Sequence, residues 1–62
     1  MKKIYKVTTS VWRIAEYTLK MNDIVEVIKR TDIEVCVTNT YFNGESYWVR
    51  AEDFDIHCSP TN

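Results

Sequence analysis

With 62 residues, the chain has room for one domain and no more. A domain of this size buries only about 60% of its unfolded surface, which leaves little material for a deep catalytic cleft and favours a surface that binds. Apolar residues at 45% and aromatics at 13% argue against a disordered chain, and a net charge of -1 argues against broad, sequence-independent binding to phosphate backbones.

The first predicted element is a strand, Ile4-Tyr5-Lys6-Val7-Thr8. The stretch from Ser10 to Met21 supports two readings. In one it is a long irregular loop or hairpin that folds back on itself with Trp12, Ile14, Tyr17 and Leu19 tucked under a barrel. In the other, Ser10 caps a helix whose apolar face is Val11, Ile14, Ala15 and Leu19. β-Branching at Thr8, Thr9, Val11 and Thr18 favours the first.

Asp23 to Arg30 reads as a strand with Val25 and Val27 on one face. Ile24 and Ile28 lie on the other, with Glu26 between them. Thr31-Asp32 turns the chain into a second strand, Glu34 to Phe42. Asn43-Gly44 predicts a tight hairpin turn into a third, Glu45 to Arg50. Val35 and Val37 share one face of the second strand, and Tyr47 and Val49 oppose Trp48 and Arg50 on the third. Ala51-Glu52-Asp53-Phe54 reads as a single helical turn leading to a closing strand, Asp55-Ile56-His57. Residues 1–58 are expected to form the domain and 59–62 a flexible tail.

Two segments resemble Src-homology-3-like small barrels. Tyr17-Thr18-Leu19-Lys20-Met21-Asn22-Asp23-Ile24-Val25-Glu26-Val27 is similar to the family's second-strand signature, with Asn22 where the family usually has glycine. Asn tolerates the left-handed backbone such a turn needs. Tyr47 to Phe54 is similar to the family's last long strand and the one-turn helix after it. The resemblance implies a small all-β, five-stranded barrel with a long loop or short helix between strands 1 and 2. It places Val49 and Phe54 in the core and Trp48 toward a ligand groove. The alternative is an α+β fold with one helix near residues 10–20 packed on a meander. The likeness does not extend to the proline-peptide-binding motifs: Ile4-Tyr5-Lys6-Val7-Thr8 is not Ala-Leu-Tyr-Asp-Tyr, Glu34-Val35-Cys36-Val37 lacks the tryptophan pair, and Arg50 replaces a proline.

Catalytic chemistry finds little support. His57 is the single histidine, and no third group is placed to orient a Cys58–His57 pair. Cys36, Cys58 and His57 lack metal-ligand spacing, so neither a metal nor a cofactor is expected. The carboxylates Glu45, Glu52, Asp53 and Asp55 read as a solvated rim. With no leader-like or membrane-length apolar run, the chain is expected to be cytoplasmic with both thiols reduced. Its aromatics are the best functional lead. Trp48, Arg50, Tyr41, Tyr17 and Tyr5 form the candidate partner-binding set, because Tyr and Trp supply large contact area with few rotatable bonds. The expected function is a non-enzymatic protein-interaction module. The Asn-, Ile-, Lys- and Tyr-rich composition fits a small accessory factor of a bacteriophage or low-GC bacterium acting on a host protein. The alternative is a nucleic-acid-binding barrel, KOW- or Tudor-like, that stacks bases on exposed aromatics beside Arg and Lys. An unpaired strand edge also leaves homo-oligomer formation open.

Overall fold

Alternation along the central strand sets the architecture. The computed structural model describes residues 3–61; Met1, Lys2 and Asn62, the ends of the expected domain and tail, lie outside them. Strands β1 (Lys3–Val7), β2 (Val11–Ile14), β3 (Tyr17–Lys20), β4 (Ile24–Arg30), β5 (Glu34–Thr38), β6 (Ser46–Arg50) and β7 (Cys58–Pro60) account for most of the chain, with one helix, α1 (Ala51–His57). Five strands form one antiparallel sheet in the order β6-β5-β4-β1-β7, and β2 and β3 form a separate hairpin.

The fold is β-rich as expected, but it is not a five-stranded barrel. Among the described residues the large sheet stays open, with β6 and β7 as its two edges. The seven-residue α1 connects those two edges in sequence and packs against β5, β6 and β7, and among the described residues no ladder pairs β6 with β7.

The segment from Ser10 to Met21 is the hairpin rather than the helix. Trp12, Ile14 and Leu19 alternate with exposed neighbours, a period of two that a strand satisfies and a helix does not. The turn between β2 and β3 holds Ala15 at φ 53, and the turn before β4 holds Asn22 at φ 77. The left-handed tolerance of asparagine is thus used where the family usually has glycine. Asp23 braces that turn by accepting from the Lys20 backbone N–H at 2.8 Å.

Three boundaries differ from the sequence reading. The second meander strand stops at Thr38, and Thr40–Phe42 forms a 3₁₀ turn before the Asn43-Gly44 reversal. Asn39 causes this: its side-chain oxygen accepts from Tyr41 N–H at 2.7 Å while its amide donates to the Ile24 carbonyl at 2.6 Å. Asn43 and Gly44 have φ of 54° and 83°, so the predicted reversal is there, displaced from the strand by that turn. Next, α1 runs through Asp55, Ile56 and His57, where a closing strand was expected. Glu52 and Asp53 sit in its first turn, where carboxylates oppose the helix dipole favourably. Finally, the closing strand is Cys58–Pro60, which runs from the end of the expected domain into the expected tail: Ser59 and Pro60 pair with Lys6 and Tyr5, and Thr61 N–H donates to the Ile4 carbonyl. A proline fits here because an edge strand need not donate on its open side.

The core lies between the inner face of the sheet and the hairpin. Val7, Val25, Val35 and Val37 project from the sheet, Leu19 and Ile14 from the hairpin, and Phe42 and Phe54 fill the space between. Trp12, only 6% exposed, packs edge-on to Phe54 and face to face with His57 at 5.3 Å. Val49 packs against this core and Phe54 is within it, as the resemblance implied. Cys36 and Cys58 are both free and buried. Burial pushes the Cys58 thiol up to about 12, with Asp55 adding to the shift.

Candidate functional site

Because successive residues of a strand face opposite ways, every strand that contributes to the core also presents a second, outer set. The register assembles that set into rows. Ile4 lies opposite Glu26, Glu26 opposite Thr38, and Thr38 opposite Ser46. In the next row Lys29 lies opposite Cys36 and Cys36 opposite Trp48. Ile28 is the extra residue where the register shifts between Val27 and Lys29. Glu34 and Arg50 close the face at the far end.

Trp48 is on this outer face and 49% exposed. Cys36, its cross-strand neighbour, is almost fully buried although it points away from the core. Ile24, Ile28 and Tyr41 are each half exposed or more. Where β4 meets the 3₁₀ turn, the face sinks into an open groove of about 480 Å³ walled by Ile4, Ile24 and Tyr41, with Asp23, Glu26 and Thr38 also lining it. A smaller hollow of about 330 Å³ lies on the other side of Tyr41, lined by Tyr17, Leu19 and Lys20 among others.

The five residues singled out from the sequence divide into three groups. Trp48 and Arg50 share the outer face of β6. Arg50 reaches Glu52 at 3.3 Å, but with both side chains over 70% exposed that contact contributes little. Tyr41 lines the groove, and it meets Tyr17 across the smaller hollow. Tyr17 belongs mostly to the inner side, where its ring packs on Phe42 at 4.7 Å and Tyr47 at 6.0 Å. Tyr5 packs edge-on against Phe54 at 4.8 Å and lines neither depression.

The solvated carboxylates take specific partners. Asp55 pairs with Arg30 at 2.9 Å, which raises the guanidinium pKa further and holds Arg30 beside the Phe54 ring. Glu45 accepts from the Tyr47 hydroxyl at 3.1 Å; burial first, and this hydrogen bond second, push that phenol up to about 12. Among the described residues no three His, Cys, Asp or Glu side chains gather as metal ligands, and no helix is long and apolar enough to cross a membrane.

Ile4, Ile24, Glu26 and Ile28 were not named as site residues from the sequence. Part of the signal was there: once Val25 and Val27 face the core, Ile24, Glu26 and Ile28 face away from it. Compared with family models, with curated proteins and with solved structures, the chain gives no match.

Proposed function

We propose that this chain is a non-enzymatic protein-interaction module that docks its partner on the outer face of the five-stranded sheet. One observation carries the reading: Trp48, Ile24, Ile28 and Tyr41 are 49%, 50%, 55% and 62% exposed on or beside one sheet face whose opposite side already holds the core. Apolar and aromatic side chains left open together on a small domain mark an interaction surface, and Trp and Tyr are the residues that most often dominate binding energy there.

The order of elements is in keeping with the SH3-like resemblance. A first strand leads through a folded-back segment into a meander, then a short helix, then a last strand returning to β1. The open ladder is a departure from a closed barrel, so the resemblance rests on element order and on Asn22, Val49 and Phe54. In this reading the domain works in the cytoplasm with reduced thiols, as an accessory factor of the phage or low-GC bacterial kind that its composition suits.

The nucleic-acid alternative is weaker on this face. Lys29 and Arg50 flank Trp48, but Glu34 lies opposite Arg50 and Glu26 sits one row away. Phosphates would meet carboxylates as often as cations.

The test compares capture by the immobilised domain and by Trp48→Ala from a bacterial lysate, alongside titration with single-stranded DNA and RNA at low and high salt. A stoichiometric protein partner lost in the variant is the expected result. Tight, steeply salt-dependent nucleic-acid binding with no protein partner would overturn it. Light scattering of the isolated domain reports whether the partner is a second copy of this chain.

A further inference from the structure

We infer that the groove beside Tyr41 takes a cationic side chain, lysine or arginine, carried on an apolar segment of the partner protein. This rests on the outer face being a protein-docking surface, and it specifies the chemistry of that surface.

Several polar atoms in the groove are already committed. The Thr38 hydroxyl donates to the Glu45 carbonyl at 2.7 Å. The Asn39 amide donates to the Ile24 carbonyl, and the Thr40 hydroxyl donates to the Asn39 side-chain oxygen. What stays open is mainly carboxylate. Glu26 is half-buried in the sheet between Ile4 and Thr38, and its carboxylate has no hydrogen bond or ion pair to any described residue. Asp23 spends one oxygen on the Lys20 N–H, and no described residue donates to its other. Asn22 adds an exposed amide at the rim.

Among the described residues no lysine or arginine lines the groove; Lys6, opposite Ile24 in the ladder, lies beside it without lining it. The depression therefore offers acceptors that no described residue pairs, a charge of two carboxylates and apolar walls from Ile4, Ile24 and Tyr41. That combination fits a long cationic side chain, whose methylene stem covers apolar surface while its head donates to carboxylate. A phosphate or an acidic segment would meet uncompensated negative charge. The groove opens along the sheet surface, which suits a chain segment lying across it.

The test uses the full-length ¹⁵N-labelled chain and three acetylated hexapeptides, alternating Lys–Leu, Glu–Leu and Ser–Leu, followed by amide chemical shifts. The Lys–Leu peptide is expected to move the amides of Asp23, Ile24, Glu26 and Tyr41 in a saturable way and to bind more weakly as salt is raised. Glu26→Gln, isosteric and without a charge, is expected to weaken it by roughly tenfold, the value of one charge-assisted hydrogen bond. Tyr41→Ala, at an exposed position, is expected to weaken it while leaving the rest of the spectrum in place. Equal binding of the Glu–Leu peptide, shifts confined to other surfaces, or an unchanged affinity in Glu26→Gln would overturn the inference. If that happens while a protein partner is still lost in Trp48→Ala, the groove chemistry falls and the docking face stands. If no partner depends on Trp48 either, both fall.

Discussion

The two faces of the large sheet are made by the same strands yet differ in how their side chains are used. On the inner face Val25, Val35 and Val37 are wholly buried and continuous with Leu19, Phe42 and Phe54. On the outer face these strands and β6 carry Ile24, Glu26, Cys36 and Trp48, where apolar groups stand open and no described residue pairs the Glu26 carboxylate. In a domain with one small core, stability resides on the inner face, so the outer face is free to carry residues that stability alone would not select.

That contrast can be broken most readily from the inside. Phe54→Ala removes a fully buried ring that touches Tyr5 and Trp12, and should cost about 3–5 kcal/mol. A domain with so thin a margin would then be largely unfolded at room temperature, as far-ultraviolet circular dichroism would report. A native-like spectrum and melting profile would mean that the inner face is not what holds the fold.

Asn39 links the two faces, because it ties the 3₁₀ turn to β4 at the head of the groove. Asn39→Ala leaves the Ile24 carbonyl and the Tyr41 N–H without these partners and should cost about 1–3 kcal/mol in urea unfolding. It should also loosen Tyr41, read as faster amide exchange from Thr40 to Phe42.

Cys58 sharpens the contrast through pH. Its thiol is raised from an ordinary value of 9.0 to about 12 in the folded chain. Between those values the unfolded chain has released a proton that the folded chain keeps, so stability is complete below pH 9 and falls as pH rises toward 12. Urea midpoints measured across this window should decline more gently in Cys58→Ala than in the parent. Parallel slopes would mean that the thiol is not shielded.

The smallest effect belongs to the outer face. Ile28→Ser, at the half-exposed bulge position, should change unfolding free energy by no more than about 0.5 kcal/mol. A loss of several kcal/mol would make Ile28 part of the core in all but position.

How far the sequence reached follows from which interactions are local. The meander was legible because valines repeat at period two in β4 and β5, and the Asn43-Gly44 reversal was legible because both residues accept positive φ. The 3₁₀ turn was not, since Asn39 acts by bonding a carbonyl on another strand, 15 positions earlier. The turn of the β2–β3 hairpin carries no marker either: Ala15 takes a left-handed conformation that alanine does not favour, so packing of Trp12, Ile14 and Leu19 must outweigh it. Strand β7 exists only because β1 offers an edge to Cys58, Ser59 and Pro60. Of the candidate site, Trp48 and Tyr41 could be singled out as candidate contact aromatics, with the exposure of Trp48 left open, whereas the groove depends on the register that sets Ile4 beside Glu26 and Glu26 beside Thr38.

The division of labour between the faces is tested most directly by the two indoles. Trp12→Phe leaves Trp48 as the single tryptophan, and Trp48→Phe leaves Trp12. Acrylamide should quench Trp48 steeply and Trp12 only weakly, and the captured partner should shield Trp48 alone. Equal quenching of both indoles, or a partner that shields Trp12 and leaves Trp48 accessible, would contradict an outer face built for recognition.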